Sequence, residues 1–285
     1  MNPRPTIAVR TETPASVLIE ADRAAGPVAM MRGTDAAVRK AREAGIGLAL
    51  VRATTHTAAL GYYTLAAAKQ GMAAVALAAS WPIVAYHGAR AAGVSTSPIS
   101  IAVPGAEPLV LDMATSVVSM GKLNQAKRTG SAIPPGWALD KDGSPTTDPA
   151  AAQIPLPMAG PKGSGLSLMI ECLTSLIAAN PLLAESLEGT QEGQRHRQNG
   201  LVIAIDLARF CDPEGFRGEV ERLVKALKSL PVDPQIGEIL MPGERGRREF
   251  ERRGREGIPV PHAVWRELET LASRLGVAVP ASLPR

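Results

Sequence analysis

Residues 46 to 79 alternate an apolar run, a polar loop, an alanine-rich helical pattern and a second apolar run, and that rhythm constrains the fold more than any other feature. The run 46–51 reads as a buried strand, 58–70 as a helix closed by Gly71, and 73–79 as a second strand. Such a succession predicts a β-α-β unit whose polar loop residues, here Thr54, Thr55 and His56, gather at one edge of a sheet. Aromatic residues make up only 3% of a chain that is 45% apolar, so Ala, Val, Leu and Ile must fill the core. Ala-rich helices packed closely on strands achieve that, and the expected class is α/β or α+β. The 285 residues suffice for one large domain or two lobes.

The rest of the chain fits the same class. Residues 15–19 read as a short strand and 35–44 as a helix, with Thr34 as a possible N-cap and Gly45 as its stop. Short strands are expected within 93–108, and a continuous apolar strand over 109–113 leads into a helix expected over 115–127. The Pro- and Gly-rich stretch 130–160 has a length more typical of a functional loop than of a linker. An apolar helix over 163–179 should be buried on several sides, 184–199 should be polar and exposed, and 201–205 should form a strand. Three further helices are expected over 213–230, 245–256 and 261–275.

The formal charge of +4 is a small excess over a large surface and suits a phosphate-bearing small ligand as readily as nucleic acid. Two cysteines, Cys172 and Cys211, are too few for a disulfide scaffold and fit a reducing compartment. No signal-type apolar segment opens the chain and its most apolar helical pattern is interrupted by Glu171, so a cytoplasmic protein with no membrane partner is expected.

Three positions offer chemistry. His56 sits at a strand-to-helix junction among small residues, and an imidazole titrates where a proton passed to or from a hydroxyl or carbonyl requires it; a helix-capping role is the alternative. Asp112 ends a strand, and the amides of Ala114, Thr115 and Ser116 at an expected helix N-terminus would favour an anion, unless Asp112 and Thr115 simply cap that helix. Lys162 lies in Gly160-Pro-Lys-Gly-Ser-Gly165, where glycines permit close approach and the lysine adds a point charge for a phosphate; a solvated loop lysine is the alternative. Neither the G-x-G-x-x-G nor the G-x-x-x-x-G-K-[ST] pattern is present, which speaks against a Rossmann or P-loop site. The six arginines of 245–256 are interleaved with three glutamates, so an ion-paired helix face is expected and no nucleic-acid partner. His87, His196 and His262 show no metal-ligand spacing, and no metal is expected.

Taken in order, His56-Thr-Ala-Ala-Leu-Gly-Tyr-Tyr63, Leu111-Asp-Met-Ala-Thr-Ser116, Ser144-Pro-Thr-Thr-Asp-Pro149, Gly160-Pro-Lys-Gly-Ser-Gly-Leu166, Asn199-Gly200 and Pro242-Gly243-Glu244 resemble the malate/L-lactate dehydrogenase family. That family also contains ureidoglycolate dehydrogenase and reductases of 2-oxo acids and cyclic imino acids. The resemblance implies a large mixed β-sheet with flanking helices, a family-specific NAD(P)-binding fold distinct from the Rossmann domain, and a reduced helical lobe. It implies NAD or NADP as cofactor, a small 2-hydroxy or 2-oxo acid as substrate, and a homodimer. Carried over by position, His56 corresponds to the proton acceptor, and Ser80, Asp112, Met113, Ala114, Lys162, Gly243, Glu244 and Arg245 to cofactor-contacting residues. The implied division assigns 56–229 to cofactor binding and catalysis, and 1–55 with 230–285 to the remnant of the other lobe. Family members carry an N-terminal helical segment whose Ser-His-Gly stretch and arginine help hold the substrate carboxylate, and nothing in this chain matches it. A dinucleotide-binding member without turnover is therefore the alternative to an active dehydrogenase.

Overall fold

The computed structural model describes residues 1–190 and 197–279. The chain begins with β1 (Ala8–Glu12), β2 (Ser16–Glu20), α1 (Gly26–Ala44), β3 (Ile46–Thr54), α2 (Gly61–Ala68) and β4 (Met72–Ser80). It continues through β5 (Val84–Ala85), β6 (Ala92–Val94), β7 (Ile99–Val103), β8 (Leu109–Met113), α3 (Met120–Thr129), β9 (Ala138–Leu139), β10 (Pro145–Thr146) and β11 (Ile154–Pro155). Then come α4 (Pro161–Glu171) with a π-helical turn (Cys172–Leu176), α5 (Leu183–Leu187), β12 (Gln198–Asp206), α6 (Pro213–Lys228), α7 (Glu244–Glu256) and α8 (His262–Leu275).

Seven strands form one mixed sheet in the order β1-β2-β3-β12-β4-β7-β8, and only β2 and β3 pair in parallel. The expected unit of β3, α2 and β4 is therefore a split one. β12 inserts between its strands, antiparallel to both, with Leu201 opposite Leu50 and Leu77. The adjacent β-α-β unit is instead β2-α1-β3. The division expected at residue 55 cuts across this sheet, since β1 to β3 share it with β4 and β12.

The two faces of the sheet differ in kind. On one, Ala49, Val51, Ala74, Ala76, Ala78, Val202 and Ala204 meet α1 and α2; on the other, Leu50, Leu77 and Leu201 meet Leu166 and Ile170 of α4. Small residues let α1 press against the backbone: a Cβ added at Gly47 would lie 1.9 Å from the carbonyl oxygen of Ala37, and one at Gly33 would lie 2.7 Å from Val51 Cγ2. Dense packing with Tyr63 as a rare aromatic ring in the core is thus achieved by shortening the distance between layers.

Several boundaries depart from the sequence expectation. Helix α1 starts at Gly26, with Pro27 in its first turn, and Thr34 is buried mid-helix with its hydroxyl donating to the Met30 carbonyl at 2.9 Å. The helix expected from Thr115 starts only at Met120, capped by the Ser119 side chain, because the Thr115 amide is taken by the Thr96 carbonyl and Ser116 bridges Pro157. The 163–179 segment is one-sided rather than buried all round: Leu168, Met169, Leu173, Leu176 and Ile177 face solvent. Gln198 and Asn199, expected exposed, are buried at the start of β12; His196 and the rest of 191–196 lie outside the described residues. Helices α6 and α7 bury no residue, and the arginines of α7 pair with its glutamates, as in Arg252–Glu249, Arg252–Glu256 and Arg253–Glu249.

Candidate active site

The ends of β3, β4 and β8 and the start of β12 lie along one edge of the sheet, where Thr54, Gln198 and Ser80 form one row. Just past Thr54, the chain turns toward α2. The amide of Gly26 donates to Thr55 Oγ1 at 3.1 Å, and a Cβ at Gly26 would lie 2.1 Å from the His56 carbonyl oxygen, so the start of α1 sits directly against this turn. His56 is exposed, and its Nδ1 accepts the amide of Ala58 at 3.2 Å. Tyr63, fully buried in α2, donates its hydroxyl to the Thr57 carbonyl at 2.5 Å, and burial pushes its pKa up to about 12, so it remains a donor.

Asp112 reaches the same loop from the other side. Its Oδ2 accepts the Gly61 amide at 2.8 Å, so it satisfies a free amide at the start of α2 and not of the helix that follows it in sequence. Desolvation of that carboxyl raises its pKa, against the lowering effect of the Gly61 hydrogen bond. His56 and Asp112 are thereby brought to opposite ends of the 56–61 loop. Met113 lies in the row of Leu77 and Ile99, on the opposite face of the sheet from the α2-facing Ser100–Asp112 pair, and Ala114 follows it.

The turn bearing Lys162 docks on the residues after Asp112. Met158 donates its amide to the Thr115 carbonyl at 2.8 Å, and a Cβ at Gly163 would lie 2.7 Å from the same oxygen. The amides of Gly163 and Ser164 are used internally, on the Met158 and Gly160 carbonyls. An anion here would thus be held by the ammonium of Lys162, which is exposed, rather than by a cradle of backbone amides. Ser80 is tied to this helix through a ladder of hydroxyls: its amide donates to Ser95 Oγ, which contacts Ser97 Oγ at 2.8 Å, and Ser97 contacts Ser167 Oγ at 2.6 Å.

Gly243 adopts the left-handed conformation (φ 85°), and the Val110 amide donates to the Pro242 carbonyl at 3.2 Å, so the 242–245 turn docks on β8 two residues from Asp112. Glu244 is committed to structure: it accepts from Lys228 at 2.7 Å and the Met241 amide at 3.0 Å and pairs with Arg248, and the Lys228 hydrogen bond above all lowers its pKa to about 2. Arg245 is exposed beside it. A cleft of about 730 Å³ between α2, the 104–108 turn and α6 contains none of these residues.

Two site residues went unrecognised in the sequence reading. Gln198 Oε1 accepts the Thr57 amide at 3.0 Å, and Asn199 Oδ1 accepts the Ala53 amide at 3.0 Å. Asn199-Gly200 carried part of the family resemblance, but nothing in the local pattern marked Gln198 as buried. Among the described residues there is no group of three His, Cys, Asp or Glu side chains able to hold a metal ion. No helix among them is long and apolar enough to cross a membrane.

The family described as malate/L-lactate dehydrogenase matches residues 1–269. The malate dehydrogenase of Pyrococcus horikoshii is 34% identical over 288 residues, covering 97% of this chain and 79% of the relative. The ureidoglycolate dehydrogenase (NAD(+)) of Escherichia coli is 30% identical over 272 residues, covering 94% and 77%. The solved structure of the sulfolactate dehydrogenase of Methanocaldococcus jannaschii superposes with a TM-score of 0.85 at 34% identity, covering 97% of this chain and 80% of that one.

Proposed function

This chain belongs to the malate/L-lactate dehydrogenase family, and on that premise we propose that it interconverts a small 2-hydroxy acid and its 2-oxo acid with NAD or NADP, using His56 as the acid/base. The coenzyme, when bound, supplies the hydride acceptor in oxidation and the donor in reduction. In oxidation the carbinol C–H bond breaks with its electron pair as the hydroxyl proton passes to His56; reduction returns both. Lys162 is suited to the coenzyme's phosphates, with Asp112 and the 113–114 backbone on a ribose or phosphate neighbour, Ser80 nearby, and the Gly243–Arg245 turn closing over the edge of β8.

The Ala58 amide on Nδ1 bears on the proton step. An amide donor requires a lone pair on Nδ1, so neutral His56 carries its proton on Nε2. In oxidation the hydroxyl proton can therefore arrive only at Nδ1, and the Ala58 contact must open to free that lone pair; in reduction the same Nδ1 proton is given back and the contact can reform.

The observation that carries this reading is the meeting of His56 and Asp112 on one short loop, although they lie on different strands' ends. The test is titration with NADH and NADPH separately, then a panel of 2-oxo acids and cyclic imines followed at the nicotinamide absorbance. Binding with turnover of a 2-oxo acid supports it; binding without turnover of any of them makes the chain a dinucleotide-binding member, and absence of binding removes the proposal. A homodimer in the cytoplasm belongs to the same reading. The solvent-facing apolar stripe Leu168, Met169, Leu173, Leu176 and Ile177 supports a second copy, and Leu176→Lys should shift the mass measured by light scattering toward the monomer.

A further inference from the structure

We propose that Gln198 and Asn199 are positioning residues for the proton transfer: their adjacent side-chain amides grip the backbone at Thr57 and at Ala53, on either side of His56. This rests on the proposed role of His56. The ladder between β12 and β3 is irregular here, with Gln198 opposite Thr54 but Gly200 opposite Val51, so Arg52 and Ala53 together face Asn199. Such a bulge turns a strand end and re-aims the residues beyond it. Ala53 takes φ +54°, which a residue with a Cβ adopts only where its surroundings hold it.

Asn199 supplies that hold. It is fully buried, and beyond accepting the Ala53 amide, its Oδ1 accepts from Asn180 Nδ2 at 2.7 Å. Its Nδ2 donates to Ser175 Oγ at 3.0 Å and to the Asn180 carbonyl at 2.8 Å. Ser175, in the π-helical turn, donates to Glu171 Oε2 at 2.7 Å, and the other carboxylate oxygen of buried Glu171 accepts the amides of Leu182 and Leu183. An insertion in a helix thus brings a hydroxyl under the bulge, a use typical of π-turns. On the far side of His56, Gln198 takes the Thr57 amide while Tyr63 holds the Thr57 carbonyl, next to the Ala58 amide that must release the ring. When that contact opens, the ring's place depends on the backbone that Asn199, Gln198 and Tyr63 hold around it, and a displacement of about 1 Å is enough to cost hydride transfer roughly 100-fold.

The test compares Gln198→Met, which keeps length but removes the acceptor, with Gln198→Glu, which keeps an acceptor oxygen. The Met variant should lower kcat about 10- to 100-fold with the cofactor Kd within about twofold, and the Glu variant should recover most of the loss. Nitrogen-15 NMR of the histidines at about pH 9, above the ordinary imidazole range, provides a readout independent of turnover. In the unmodified protein His56 should show Nδ1 as the unprotonated nitrogen, and in Gln198→Met the two nitrogens should move toward a mixture. Unchanged His56 nitrogens in the Met variant would overturn the proposal, with or without a fall in kcat. If the unmodified protein reduces no substrate, the function falls while the nitrogen signals still decide whether the grip exists.

Discussion

The sheet body up to β12 and the helical arm from α6 to α8 are built on opposite principles. In the body, layers approach until backbone atoms are in contact and single methyl groups are excluded, as at Gly26, Gly33 and Gly47. In the arm, α6 and α7 bury nothing, Leu223, Phe250, Leu268 and Leu271 are exposed, and surface ion pairs stand in for a core. The body therefore leaves no room for an added methyl group at these contacts. The arm contributes the turn Pro242 to Arg245, whose Pro242 carbonyl accepts the Val110 amide of β8.

The contrast can be broken most forcefully by adding the same methyl group to each region. Gly47→Ala should cost about 3 kcal/mol or more, read from urea denaturation, because the new atom meets a carbonyl that cannot move without shifting α1. Gly218→Ala, in exposed α6 with nothing within 4 Å, should instead stabilise its helix by about 0.5–1 kcal/mol. A large loss at Gly218 would mean the arm is as tightly packed as the body.

Acid gives the smaller, sharper test. Lys228 lowers Glu244 to about 2, and hydrogen bonds from Arg252 and Arg253 lower Glu249 to about 2, against an ordinary value of 4.5. A depressed carboxylate contributes stability that is present above its unfolded pKa and lost as pH falls through its folded one. The helical chemical shifts of α7 should thus weaken between about pH 4.5 and 2, modestly at Glu249, whose pairs are solvated, more at Glu244, whose side chain is largely covered, and less in added salt. Loss of α7 already at neutral pH in high salt would show that ion pairs alone sustain it.

The difference between the regions also explains what could be read in the sequence. Apolar runs revealed β3, β4 and β8, and charge alternation revealed the nature of α7, because these are local patterns. The insertion of β12 between β3 and β4 was hidden, since strand pairing is decided by partners more than a hundred residues away. For the same reason Asp112 read as a residue of its own loop, when it serves the first turn of α2, and the Thr115 amide read as a helix start, when Thr96 already occupies it. His56 and Lys162 stood out in the sequence as candidates because they lie in glycine- and alanine-rich turns, and both are exposed there. The grip of Gln198 and Asn199 did not, because an amide side chain discloses nothing about which backbone it will meet.

The central claim is that remote segments converge to present a coenzyme to the imidazole of His56. Single-turnover measurement of His56→Ala, with its reduced coenzyme prebound, tests this most directly. The account predicts coenzyme affinity within a few fold of the unmodified protein and hydride transfer to the 2-oxo acid slowed by about 100-fold or more. Transfer at an undiminished rate would contradict it.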